Sequence, residues 1–260
     1  MGKGKWILRV IQSGPVIEKV LFKKGCPCLL DGITPVQGGT SAKKRLQNEY
    51  AAEKALARLL NANFAEGDSF GTLTYSQPGL KKLKQSIPGL TFKSNKGIRL
   101  DDHMKLWLAA DKQLRNVLDL ARRECLQKGI PIRYIAVTSD LKRVSDRRVR
   151  IHHHVIANPE AWKVIKKKWD KKWGRPHTKR LRKEKDYLSV AIYFLKQVRH
   201  DIPHQHRYIS SRNLIRPQPI DYIAYSGMVL TTPKDCELLS STALIPGMPQ
   251  YARYLMPSDP

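Results

Sequence analysis

The chain has 260 residues, of which 48 are Lys or Arg and 22 are Asp or Glu, a formal net charge of +26. An apolar fraction of 41% is enough for a folded core and excludes wholesale disorder, and no stretch of about 18 uninterrupted apolar residues is present to span a membrane. So basic a surface repels itself unless a polyanion compensates it, so nucleic acid is the first expected partner and an anionic membrane surface the second.

Residues 6 to 11 and 16 to 22 are β-rich runs separated by Gln12-Ser13-Gly14-Pro15, which predicts a hairpin. In the Gly- and Pro-rich loop that follows, Cys26 and Cys28 offer half of a zinc site with no second pair to answer them. With Cys125 and Cys236 they are too scattered for a disulfide framework and fit a reducing cytosol; the N-terminus also lacks the apolar core of a signal peptide. From Ser41 to about Asn61 the pattern is helical. Lys43, Lys44 and Arg45 in its first turn oppose the helix dipole, which suits an anionic partner or simply a solvated basic face. Phe70 to Tyr75 predicts a short strand between turn signals, and residues 78 to 97 read as a loop or insertion without a period. Asp101 or Asp102 caps the next helix, whose stripe of Trp107, Ala110, Leu114, Val117, Ala121 and Cys125 ends at Gly129 and Pro131.

Residues 133 to 138 and 149 to 156 predict two strands whose connection is too short for a crossover helix, so they pair antiparallel. Asn158 is a cap with Pro159 at the first helical position, and Trp162, Ile165, Trp169 and Trp173 recur along one side while lysines fill the other. A further helix is predicted from Asp186 to about Val198, and an irregular extension beyond Pro217. With no repeat of 20 to 50 residues and with antiparallel neighbours, the expected class is α+β.

His152-His153-His154 lies inside an apolar strand. Side-chain alternation puts His152 and His154 on one face, where two imidazoles can chelate one ion, and His153 on the other. Alone, the pattern suits packed imidazoles as well. On the predicted helix, Tyr193 and Lys196 are three residues apart and reach a common point. A phenol with a pKa near 10 is a poor nucleophile unless a cation favours its phenolate. Tyr187 competes for that role, but it lies on another helical face and has no lysine three residues later. Between Trp162 and Lys185, twelve cations face only Asp170 and Glu184, a local charge of +10. Such a run contacts phosphates and makes affinity fall steeply with salt, while the spacing of the tryptophans favours a buried face over base stacking.

The order of these pieces is a Thr-Leu-Thr-Tyr strand, then a His-x-His strand, then a Tyr-x-x-Lys helix. In this the chain resembles the rolling-circle replication initiators (Rep) of the HUH endonuclease superfamily, of the kind encoded by bacterial phages and plasmids. Residues 48 to 68 and Ser211-Arg212-Asn213-Leu214-Ile215-Arg216-Pro217 look like segments of the same group, so the similarity covers about residues 45 to 217. The resemblance implies a central antiparallel sheet of about five strands flanked by helices. Together with the patterns above, this gives the expected organisation: an N-terminal hairpin and basic helix over 1–66, the HUH domain over 67–217 and an irregular extension over 218–260. The resemblance implies that Tyr193 attacks single-stranded DNA at an origin, leaving a 5′-phosphotyrosine bond and a free 3′-hydroxyl, with Lys196 at the phosphate. A divalent ion, Mg²⁺ or Mn²⁺, would be held by His152 and His154. The family commonly adds an acidic or amide ligand on the preceding strand, where the expected register gives Ser139 and alternation offers Asp140. The DNA contacts are expected at Lys166, Lys167, Lys171, Lys172, Arg175, Lys179, Arg180 and Arg212. The cytoplasm of a bacterial host is the expected setting, and the absence of a GxxxxGK[ST] loop makes any helicase, like the polymerase, a separate chain. A relaxase or a single-tyrosine transposase shares this chemistry, and a non-catalytic basic nucleic-acid-binding protein shares the charge.

Overall fold

The computed structural model of the protein describes residues 5–25, 42–89, 101–142, 145–197 and 207–257. Cys26 and Cys28, and the side chains of Lys43, Lys44 and Arg45, lie outside what is described. The fold is α+β, with two antiparallel five-stranded sheets, each the centre of its own unit. The first unit comprises 1–63, 184–191 and 215–260, and the second 64–183 and 192–214. Among the described residues no helix is long and apolar enough to cross a membrane.

In the first unit, β1 (Trp6–Ser13) and β2 (Val16–Lys23) form the expected hairpin, closing at Ser13 opposite Val16. Gly14 has φ +56°, and a Cβ there would stand 2.1 Å from the Asn61 carbonyl oxygen, so the turn requires glycine on both counts. The helix α1 (Ala42–Asn63) buries Leu56, Leu59 and Leu60, and its Arg58 grips Glu18 of β2 through two hydrogen bonds of 2.9 and 2.7 Å.

The expected irregular extension over 218–260 is corrected here. It contains three strands, Ile220–Ala224, Glu237–Ser241 and Gln250–Leu255, numbered β8, β9 and β10 in chain order. They join the hairpin in the order β8-β1-β2-β10-β9. The period-2 signal is missing for a physical reason: β10 is buried on both faces over its first five residues and β8 is exposed on both, so neither alternates.

The second unit is built on β3 (Ser69–Thr74), β4 (Tyr134–Lys142), β5 (Ser145–Ala157), β6 (Pro176–Arg180) and β7 (Ile209–Ser210), in the order β6-β3-β5-β4-β7. Residues 78 to 86 of the stretch expected as loop instead belong to the helix α2 (Gln77–Ser86). Ser76 caps it by accepting from the Gly79 N–H, and Pro78 stands in the first turn where no N–H is needed. The lysines that hid its period are its solvent side, with Leu83 buried beneath. Asp101 caps α3 (Asp102–Gln127) by accepting from the Met104 N–H, and the whole predicted apolar stripe of α3 is buried.

In α4 (Pro159–Asp170), Trp162, Ile165 and Trp169 are buried, as is Trp173 just beyond it. Burying each such side chain contributes about 1.5–3 kcal/mol. Asn158 does not cap this helix with its side chain; it accepts from the Arg133 N–H and donates to the Pro131 carbonyl, tying the start of β4 to the end of β5. The last helix, α5, runs Leu188–Lys196.

Candidate active site

The strand β5 lies between β3 and β4. Thr72 is opposite His154 and Thr74 opposite His152 on one side, with Val137 and Ser139 opposite the same two histidines on the other. Directly paired residues share a face, so this face of the sheet presents His152 and His154 among Thr72, Thr74 and Ser139. Tyr193 of α5 comes to the same place, its hydroxyl 2.9 Å from His154 Nε2, and His152 Nε2 is 3.1 Å from His154 Nε2. Two imidazoles and a phenol 39 residues further along the chain thus converge on one point. Phe70 of β3 packs against His154, Tyr193 and Phe194 with ring centroids 5.8 to 6.1 Å apart, walling the point with apolar carbon. Ser139 Oγ donates to Gln197 Oε1 at 2.8 Å and so pins the end of α5 beside His152.

The ring of His152 has one available tautomer. Its Nδ1 is 2.9 Å from the Arg150 carbonyl, which only accepts, so Nδ1 carries the hydrogen and the Nε2 lone pair faces His154. His154 Nδ1 is 3.2 Å from Thr72 Oγ1, which can take either role. Burial pushes the pKa of His152 below its ordinary value, against the bond to Arg150 and the charge of Asp140. Burial, with the neighbouring His152, pushes His154 down to about 3. Both rings are therefore neutral at pH 7, the form that binds metal.

Adjacent ligands of an octahedral ion with bonds of about 2.1 Å stand about 3 Å apart. The 3.1 Å between the two Nε2 atoms fits two neighbouring positions of one divalent ion, and the Arg150 carbonyl already holds one ring in the required tautomer.

The other expected residues are placed as follows. Asp140 is buried past a register shift in β4, and its Oδ2 meets Nε2 of His103 on α3; Ser139 is the residue opposite His152. Among the described residues no group of three or more His, Cys, Asp or Glu is arranged to hold one ion. Lys196 stands exposed one turn beyond Tyr193. Tyr187 is buried in the first unit, its N–H bound to Asn61 Oδ1. Lys166, Lys167, Lys171, Lys172, Arg175, Lys179, Arg180 and Arg212 are all exposed, and none forms an ion pair among the described residues. Phe70 and Thr72 lie in the strand motif read from sequence, which gives them no individual role, and His103 and Gln197 carry no sequence signal. Alternation along β3 puts Phe70, Thr72 and Thr74 on one face, but which face meets the histidines depends on a register that the sequence does not state. Comparison of the chain with family models, with curated proteins and with solved structures gives no match.

Proposed function

We propose that the chain is a rolling-circle replication initiator of the HUH type, nicking and rejoining single-stranded DNA with Tyr193 as nucleophile and a divalent ion, Mg²⁺ or Mn²⁺, at His152 and His154. The observation that carries this reading is the convergence of the Tyr193 hydroxyl and the two imidazole Nε2 atoms within 3.1 Å steps of one another. In the forward step the Tyr193 oxygen bonds to the scissile phosphorus and the bond from phosphorus to the 3′-oxygen breaks. The phenol loses its proton and the departing 3′-oxygen gains one, so the products are a 5′-phosphotyrosine and a free 3′-hydroxyl; rejoining is the reverse. The bound ion supplies Lewis-acid stabilisation of the phosphate oxygens. Phe70 and Phe194 exclude water from the side of the ring pair they cover, and Lys196 adds positive charge one turn from the nucleophile. The exposed cations of α4 and β6 hold the DNA backbone by phosphate contact.

The test is incubation with labelled single-stranded origin DNA and Mn²⁺, followed by denaturing electrophoresis. A covalent protein–DNA adduct is expected from the native chain, and none from Tyr193→Phe or in EDTA. An adduct that survives Tyr193→Phe and disappears in Tyr187→Phe would reassign the nucleophile.

A further inference from the structure

On the reverse face of β5, between the two candidate ligands, His153 is fully buried. Its Nε2 is 3.0 Å from the Tyr75 hydroxyl and its Nδ1 is 3.0 Å from Thr138 Oγ1, which in turn lies 2.9 Å from Asp111 Oδ1. With a neutral imidazole beside a carboxylate, this chain of contacts runs in one direction only. The carboxylate of Asp111 accepts, so the Thr138 hydroxyl donates to it; Thr138 Oγ1 therefore accepts from His153 Nδ1–H, and His153 Nε2 accepts from the Tyr75 O–H. At the far end the Arg115 Nε–H donates to Asp111 Oδ2 at 2.9 Å. Tyr75 stacks edge-on against both His153 and Trp169, at 5.6 and 4.9 Å between centroids, so its hydroxyl has little freedom to turn elsewhere.

Three side chains touch this ring, Tyr75 just beyond β3, Thr138 of β4 and Trp169 of α4, and α3 joins through Asp111, which accepts from Thr138. Side chains of successive strand residues are rigidly counterposed, so anchoring residue 153 on one face fixes the backbone from which 152 and 154 leave on the other. We infer that His153 is a positioning residue: the one-way chain Tyr75–His153–Thr138–Asp111 sets the spacing of His152 and His154, and through it their affinity for a divalent ion. The inference rests on the reading of the pair as a metal site. It gives Tyr75, at the end of the Thr-Leu-Thr-Tyr strand, a task that burial alone does not.

The experiment is a Mn²⁺ titration by calorimetry on the full chain, comparing the native protein with Tyr75→Phe, His153→Leu and the core control Val164→Ala. Tyr75→Phe removes one oxygen and leaves the packing. It and His153→Leu are each expected to weaken Mn²⁺ binding about tenfold or more, the size typical of lost outer-shell hydrogen bonds. Val164→Ala is expected to lower thermal stability and leave the dissociation constant within twofold. Unchanged affinity in Tyr75→Phe, or an equal loss in Val164→Ala, overturns the positioning role and leaves the metal site standing. A native chain that binds no Mn²⁺ overturns both. Independently of metal, imidazole ¹⁵N shifts recorded in EDTA should show His153 neutral with its hydrogen on Nδ1; a hydrogen on Nε2 would refute the direction of the chain even if affinities moved.

Discussion

The two units share an architecture and differ in what they show to solvent. Each is an antiparallel sheet of five strands, yet the second carries 33 Lys and Arg against 12 Asp and Glu, a net of +21, and the first 15 against 10, a net of +5. Large apolar side chains follow the opposite rule: of the twelve that stand exposed among the described residues, ten belong to the first unit, Ile223 at 88% among them, and only Leu120 and Leu126 to the second. Strand count therefore says little about use. The second unit carries polar and aromatic groups on both faces of its sheet, His152 and His154 on one and His153 with Tyr75 on the other, and an excess of cations around them. The first unit buries one charged group at its centre, where Glu18 is 2% exposed between Arg58 and Tyr251.

This contrast can be broken most forcefully at Arg58. Replacing it with Ala leaves the Glu18 carboxylate buried without its main partner and should cost about 3–5 kcal/mol in urea unfolding. Affinity of the folded variant for single-stranded DNA should stay within twofold; a collapse of that affinity would mean that the first unit shares the nucleic-acid surface. The mirror experiment removes charge from the second unit. Changing Lys166, Lys167, Lys171 and Lys172 together to Ala should lower the slope of log affinity against log salt by up to about 3, since each phosphate contact on a single strand contributes about 0.7. All four are exposed, so thermal unfolding should move little; an unchanged slope would remove these lysines from the proposed DNA contacts.

A smaller effect separates the units by pH. Burial alone would raise the Glu18 pKa, but the hydrogen bonds and charge of Arg58, the charge of Arg253 and the Tyr251 hydroxyl outweigh it and hold the value below the usual carboxylate range. A depressed folded pKa gives stability that is fully present above the unfolded value, near 4.5, and is lost as pH falls through the folded one. Acid titration of the native chain followed by circular dichroism should show that loss, and Glu18→Gln should flatten it below pH 4.5. The smallest effect is expected at Ile223→Lys, on a strand exposed on both faces: less than about 0.5 kcal/mol. A larger loss of stability, measured by urea unfolding, would show that this side chain is covered in solution.

Much of the second unit was legible because its elements are amphipathic. The stripe of α3 and the tryptophans of α4 each lie on one side, and both sides behave as the periodicity requires. Alternation alone placed His152 and His154 on one face and His153 on the other. That Tyr193 stands beside the pair is a matter of how α5 packs, which no spacing encodes; only the order of the motifs pointed to it. Asp140 shows the limit of alternation: the register shift after Ser139 and the partner His103, on a helix far earlier in sequence, decide where the carboxylate goes. Asn158 carries a textual cap signal but is recruited by the backbone at 131 and 133 instead. The tail beyond residue 217 was opaque because a strand covered on both sides, or on neither, leaves no alternating trace.

The pairing of β10 with β2 bears on biosynthesis. The strand that flanks β2, matching Gln250 to Leu21 through Leu255 to Val16, is made more than two hundred residues after β2 itself. Until β10 is made, β2 has one unpaired edge, whereas the last segment of the second unit is synthesised by residue 214.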